Sequence, residues 1–175
     1  MREPIAYHLT WTCYGQWLPG DARGFVDREH RTPDSPYAEP DLRLYTASAN
    51  RMAEHACWLS DRHRAVAQAA LEEACQHRGW TLEEVNVQPD HVHLALRAPP
   101  LTGKRAMEAL KSWATMCLNR AFPRRNRWWT KGGKVELIYN EAHLRSVTAY
   151  IRRQRFRVVE ASRDREIAGV NEPRP

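Results

Sequence analysis

Nowhere does this chain hold the roughly 18 consecutive apolar residues that a membrane helix requires. Its opening residues, Met1-Arg2-Glu3-Pro4, lack the apolar h-region of a signal peptide. Together these absences lead us to expect a cytoplasmic protein with no membrane partner. Cysteine is also scarce. The four present, Cys13, Cys57, Cys75 and Cys117, form no CxxC pair. That argues against a zinc knuckle and against a disulfide framework. Cys75 and Cys117 fall within helical patterns, where a free cysteine behaves as a small buried hydrophobe. Apolar residues make up 42% of the 175 residues, enough for a globular chain with a core of its own. One domain is expected over residues 1–160, followed by a polar, Pro-rich tail over 161–175.

The net charge of +6 is unevenly spread. Residues 101–175 hold 17 Lys/Arg against 7 Asp/Glu, or +10, while the first hundred hold 10 against 14, or −4. The basic half also carries Trp113, Trp128 and Trp129, a combination suited to an anionic partner with stackable bases. A solvated surface on an Arg-rich protein is the alternative. In the connector PRRNRWWTKGGK, residues 123–134, one reading brings Arg124, Arg125, Arg127 and Lys131 to phosphates beside a stacking Trp. The other puts one Trp in the core and leaves the basic groups in solvent.

The stretch Pro89-Asp90-His91-Val92-His93-Leu94-Ala95-Leu96 alternates with the period of a β-strand. Val92, Leu94 and Leu96 take one face, and His91 and His93 the other. Two imidazoles one strand period apart can converge on a divalent metal. They can also be two polar residues on a solvated face.

Ala6 to Tyr14 alternates in the same way, with Tyr7, Leu9, Trp11 and Cys13 opposite His8, Thr10, Thr12 and Tyr14. If this strand shares a sheet with the His pair, its polar face borders the site. His8 is read as a surface or packing residue rather than a third ligand. Residues 15–50 are punctuated by Gly and Pro and read as an irregular insertion over one end of the sheet. A helix is expected from Ser60 or Asp61 to about Arg78, stopping at Gly79, and then a strand from Trp80 to Gln88. A tight turn leads into the His strand, so the two strands pair antiparallel. Helix Gly103 to Ala121, a strand Val135 to Tyr139 and a helix from Glu141 to about Val158 complete the order. About four strands and three helices make an α+β fold, an antiparallel sheet with helices packed against it.

On the last helix Tyr150 and Gln154 lie four residues apart at the edge of the apolar stripe Leu144, Val147, Ile151 and Val158. If this helix covers the face of the His pair, a phenol and an amide join two imidazoles. Two imidazoles and an amide oxygen leave open positions on a Mg²⁺ or Mn²⁺ ion bound to phosphate. Such an ion acts as a Lewis acid, and Tyr150 is then the nucleophile. Attack on a DNA phosphate gives a phosphotyrosine and frees a 3′-hydroxyl. Tyr139, which follows a strand and has no such Gln, is read as a packing residue. His143, one heptad before Tyr150, is read as a surface residue of the first turn.

PDHVHLAL resembles the His-apolar-His motif of the single-tyrosine HUH transposases. AYIRRQ resembles their catalytic helix, and WWTKGG and YHLTWTCYG also resemble that group. It includes the transposases of small insertion sequences and the REP-associated tyrosine transposases. The resemblance covers roughly residues 5–20 and 55–156. It implies a ferredoxin-like antiparallel sheet, with His91, His93 and Gln154 as ligands of Mg²⁺ or Mn²⁺ and Tyr150 as nucleophile. It further implies single-stranded DNA cut beside a hairpin through a 5′-phosphotyrosine, and a homodimer in many members. The segment at 15–50 departs from the family pattern.

A histidine-triad hydrolase would need a third His where this chain has Ala95. A transposase-derived protein that binds hairpin DNA without cutting is the alternative from another class.

Overall fold

The alternation of the two polar-apolar stretches builds the centre of a sheet. In the computed structural model, which describes residues 3–27, 29–30, 36–97 and 99–154, strand β1 spans Ala6–Thr12. Helices α1 (Leu42–Asn50) and α2 (Asp61–His77) follow. Next come strands β2 (Leu82–Val87) and β3 (His91–Arg97), helix α3 (Gly103–Ala121), strand β4 (Lys134–Ile138) and helix α4 (Glu141–Arg153).

The strands form one sheet in the order β2-β3-β1-β4, and every pairing is antiparallel. Without α1 and the final α4 the chain order is βαββαβ, in which the β1-α2-β2 unit is split by β3. This is the ferredoxin-like arrangement. The fold is therefore α+β, as expected. Among the described residues no helix is long and apolar enough to cross a membrane.

The two sheet faces are unequal. Tyr7, Leu9 and Trp11 of β1, Val92, Leu94 and Leu96 of β3, and Val87 of β2 join Leu71 of α2 and Leu110 and Leu118 of α3 in the main core. Leu9, Leu94, Leu96, Leu71, Leu110 and Leu118 are fully buried, each contributing about 1.5–3 kcal/mol over an exposed position. The other face carries a smaller cluster. Ala6, Ala95 and Ile138 of the sheet meet Leu144, Val147 and Ile151 of α4. Helix α4 covers only part of this face, and the histidines lie on the same face.

Side-chain caps set the helix starts. Ser60, Thr102 and Asn140 accept from the backbone N–H of His63, Arg105 and His143 at the heads of α2, α3 and α4. At the far end of α2, Gly79 takes φ +65°, which ends the helix where expected.

Residues 15–50 depart from the irregular insertion expected. They include α1, capped by Asp41, whose side chain accepts from Leu44 N–H. None of the α1 residues is buried, so no apolar stripe announces it. Gly20, with φ +90°, packs so closely on α1 that an added Cβ would lie 2.3 Å from the Asp41 carbonyl oxygen. The segment returns to the sheet end through Cys57 N–H on the Tyr14 carbonyl and Leu59 N–H on the Pro89 carbonyl, both 2.7 Å.

The basic connector is also partly internal. Trp128 and Trp129 are both buried, 3% and 8% exposed, so neither is a stacking platform. The Glu54 carboxylate accepts from Asn126 and Arg127 N–H, and Arg125 donates to the His55 carbonyl at 2.6 Å. Arg124, Arg127 and Lys131 remain exposed.

Lys111 on α3 is buried as well, and its Nζ donates to the carbonyls of Thr130 and Gly132 at 2.7 and 2.6 Å. Burial pushes its ammonium down to about 8, with Glu108 opposing. The unfolded chain therefore binds the Lys111 proton more tightly between pH 8 and 10.5. This side chain's contribution to stability is complete above the unfolded value and is lost as pH falls to about 8. Urea unfolding of the protein and of Lys111→Met across pH 7.5–10.5 measures this. The stability difference between them is expected to move in favour of the lysine protein as pH rises, and a constant difference would show that burial does not perturb the group.

Candidate active site

The register of β1 gathers the polar side chains of the thinner face. Thr10 pairs with His93 of β3, and Thr12 with His91. On the other side of β1, His8 pairs with Glu136 of β4. The side chains of His8, Thr10, His91, His93 and Glu136 thus share one face across three strands.

His91 and His93 are neighbours, with ring centroids 4.8 Å apart at 90°. His91 Nδ1 lies 2.6 Å from Asp90 Oδ1. Burial raises the Asp90 carboxyl, but the hydrogen bond and charge of His91 outweigh it and hold the group below the usual carboxylate range. The Asp90 carboxylate only accepts, so His91 Nδ1 carries a hydrogen, and in the neutral ring the lone pair is then on Nε2.

His93 is buried, 7% exposed, and burial together with the charges of His91 and His8 pushes it down to about 3. It is a neutral imidazole near neutral pH, the form that binds metals. Its Nδ1 is engaged by His8 Nε2 at 3.2 Å and Thr10 Oγ1 at 3.1 Å. In both histidines Nδ1 is occupied and, among the described residues, Nε2 has no hydrogen-bond partner, the usual arrangement of ligating histidines held by outer hydrogen bonds. This donor set fits a divalent ion.

Among the described residues no group of three or more His, Cys, Asp or Glu side chains is arranged to hold a metal. A third protein ligand would have to be of another kind.

His8 is the largest departure from expectation. It is neither exposed nor mere packing: it is 8% exposed and lies between His93 and Glu136, with Nδ1 3.1 Å from Glu136 Oε2. Burial raises the Glu136 carboxyl, but the His8 hydrogen bond and the charges of His8, Lys134 and His143 bring it below its usual range. His143 also joins the site, with Nε2 3.1 Å from Glu136 Oε1. The signal for His8 was its place on the polar face of β1. It became readable only once β1 was known to pair with β3.

Helix α4 brings Tyr150 to this cluster. Its ring centroid lies 5.6 Å from that of His93 and 6.2 Å from that of His8, both edge-on, and the residue remains 48% exposed. Tyr139 is half-buried just beyond β4.

Gln154 is placed differently from the expectation of a helical neighbour. The helix stops at Arg153, short of Val158, and Gln154 is the C-cap with φ −61° and ψ 119°. Residues 155–175, including Val158 and the expected tail, lie outside the described residues.

Two amides at the end of β2 meet the end of this helix. Asn86 of β2 donates through Nδ2 to the carbonyls of Ile151 and Gln154 at 2.8 and 3.1 Å, and Gln88 Nε2 donates to the Gln154 carbonyl at 3.2 Å. The Ile151 carbonyl also accepts from the Gln154 N–H at 3.2 Å, so the amides add side-chain donors to the backbone bond that closes the helix end. The amides thus tether Tyr150's helix to the sheet one turn beyond the tyrosine.

Asn86→Ala leaves the Ile151 carbonyl without this donor. A loss of about 1–3 kcal/mol in urea unfolding is expected, with faster amide exchange confined to the last turn of α4. Unchanged exchange there would show that α4 is held by its apolar face alone.

The model of a family described as "Transposase IS200 like" matches residues 49–154. No curated protein matches the chain. Among solved structures, the chain is similar to a candidate transposase from Deinococcus radiodurans R1, with 18% identity, a TM-score of 0.45, and coverage of 90% of this chain and 95% of that one. It is also similar to a REP-associated tyrosine transposase bound to a REP hairpin, with 13% identity and a TM-score of 0.48, covering 85% of this chain and 65% of that one. The family match spans more than half of the sequence and encloses α2 to α4, with His91, His93, Tyr150 and Gln154 all inside it. The chain belongs to the IS200-like transposase family.

Proposed function

We propose that this transposase cuts and rejoins single-stranded DNA beside hairpins, with Tyr150 as the nucleophile and His91, His93 and Gln154 as ligands of Mg²⁺ or Mn²⁺. The observation that carries the reading is the half-exposed Tyr150 ring set edge-on against His93, on the sheet face where, among the described residues, Nε2 of His91 and of His93 has no hydrogen-bond partner.

In this reading the Tyr150 hydroxyl loses its proton and attacks the DNA phosphorus. The P–O3′ bond breaks, the departing 3′-oxygen takes up a proton, and the 5′ end stays on Tyr150 as a phosphodiester. A 3′-hydroxyl of another strand reverses the step and rejoins the DNA, because the phosphotyrosine conserves the energy of the broken linkage. The bound ion supplies Lewis acidity toward a phosphoryl oxygen.

The chain's own residues do the rest. Asp90 orients His91 through the 2.6 Å contact, and the amides of Asn86 and Gln88 hold the end of α4. The exposed Arg124, Arg127 and Lys131 supply phosphate-binding charge away from the buried tryptophans. Tyr150 and the His pair of one chain lie together on one sheet face.

The test uses labelled hairpin-bearing single-stranded DNA from the flanks of the gene, with Mn²⁺ or with EDTA. A denaturation-resistant protein–DNA adduct is expected that EDTA abolishes and Tyr150→Phe lacks, while Tyr150→Phe still binds the DNA. Binding without an adduct, across several such substrates, would favour a protein that holds hairpins without cutting. Binding should also weaken with salt, by a log–log slope of roughly −0.7 for each phosphate neutralised on a single strand. A flat response would remove the basic half from the interface.

A further inference from the structure

The cluster behind the His pair contains more than a ligand pair requires. Glu136 faces two imidazoles, with Oε2 3.1 Å from His8 Nδ1 and Oε1 3.1 Å from His143 Nε2. A carboxylate only accepts, so both of these nitrogens carry hydrogen. As a neutral imidazole, His8 with its hydrogen on Nδ1 has its lone pair on Nε2. That is the atom 3.2 Å from His93 Nδ1. A lone pair there calls for a donor, which places the hydrogen of His93 on Nδ1.

The Thr10 hydroxyl acts in the same sense. It lies 3.1 Å from His93 Nδ1 and 3.3 Å from His8 Nε2, so it can accept from the first and donate to the second. The His8 and His93 rings stack at 26°, with centroids 5.4 Å apart.

We propose that Glu136 and His8 form a relay that locks His93 in its Nδ1–H tautomer and so keeps the Nε2 lone pair available as a ligand. The inference rests on the reading of His93 as a metal ligand. It makes His8 and Glu136 positioning residues.

The strand order explains why a relay is needed. His91 has a carboxylate beside it in Asp90 and takes its tautomer lock directly. For His93, the carboxylate of this relay stands on β4, with β1 in between. His8, on β1 and register-paired with Glu136, carries the hydrogen-bond sense across the gap. Two ligands are thus oriented by two carboxylates, one directly and one through an intervening imidazole. Outer partners of this kind typically change metal affinity 10–100-fold.

The test reads tautomers and metal separately. Long-range ¹⁵N–¹H correlation in the metal-free protein at pH 8 reports which nitrogen of His93 carries hydrogen. Binding of Mn²⁺ alone is followed by calorimetry. The variants are His8→Phe, which keeps the ring volume, Glu136→Ala, and Glu136→Gln, which keeps an acceptor oxygen. Circular dichroism confirms that each is folded.

The wild-type protein is expected to show His93 as Nδ1–H. His8→Phe and Glu136→Ala should show mixed tautomers and bind Mn²⁺ about 10-fold or more weakly, and Glu136→Gln should recover most of the loss. His93 as Nε2–H in the unaltered protein would overturn the relay. So would an unmixed tautomer with full Mn²⁺ affinity in both His8→Phe and Glu136→Ala, provided that His91→Ala loses Mn²⁺ binding. Full Mn²⁺ affinity in His91→Ala instead identifies the metal reading as the failure, and the relay's role in ligation falls with it.

Discussion

The antiparallel register of β1 is the constraint on which the site depends. Strand β1 is bonded to β3 on one side and β4 on the other, with Thr10 opposite His93 and His8 opposite Glu136. A slip of one residue would send every side chain of β1 to the opposite face. His8 and Thr10 would then enter the main core, and Leu9 and Trp11 would face α4. The apolar side chains that make such a slip costly are the ones buried under α2 and α3. The core and the site are thus specified by the same register, from opposite faces of one strand.

Helix α4 needs a different kind of restraint. Among the described residues, Leu144, Val147 and Ile151 anchor its apolar side. These three side chains leave the helix end undefined, and that end carries Tyr150. Asn86 and Gln88 supply the missing restraint by donating to the carbonyls of Ile151 and Gln154 at that end. The ion pairs of Arg97 with Glu141 and of Arg152 with Glu84 reach from the sheet to the two ends of α4. They lie at the surface and add little individually. The amides therefore contribute more than these ion pairs to holding the end of α4.

Much of this was legible in the sequence. The strand alternation, the caps at Ser60 and Asn140, the stop at Gly79 and the placing of His91 and His93 on one face all follow from local periodicity and local hydrogen bonding. What escaped reading has a common cause. Helix α1 buries nothing, so the apolar period by which helices are recognised is missing. His8 belongs to the site only through pairing with strands more than eighty residues away. The end of α4 meets amides at the end of β2, and an extrapolation of the helical period ran past it. For the connector the sequence left two readings open, a stacking Trp beside phosphates or one Trp in the core, and nothing in it marked Lys111 for burial. Tertiary packing turned Lys111 into a tie between α3 and the connector and the tryptophans into core.

The uneven covering of the sheet is what leaves room for chemistry. Two helices seal one face with a continuous apolar layer, and that face carries most of the stability. A single short helix covers the other, its apolar side meeting Ala6, Ala95 and Ile138 with Ile5 packed beside them. The remaining width of that face is occupied by imidazoles, a threonine and a carboxylate, groups that could not be buried in an apolar layer without partners. Here they are partners to one another: His91 to Asp90, His93 to His8 and Thr10, His8 and His143 to Glu136. The network pairs these polar groups with one another, and among the described residues it leaves Nε2 of His91 and His93 without a hydrogen-bond partner. The arrangement is held by hydrogen bonds within the sheet, so the exposed edge beside Tyr150 is fixed by the fold itself.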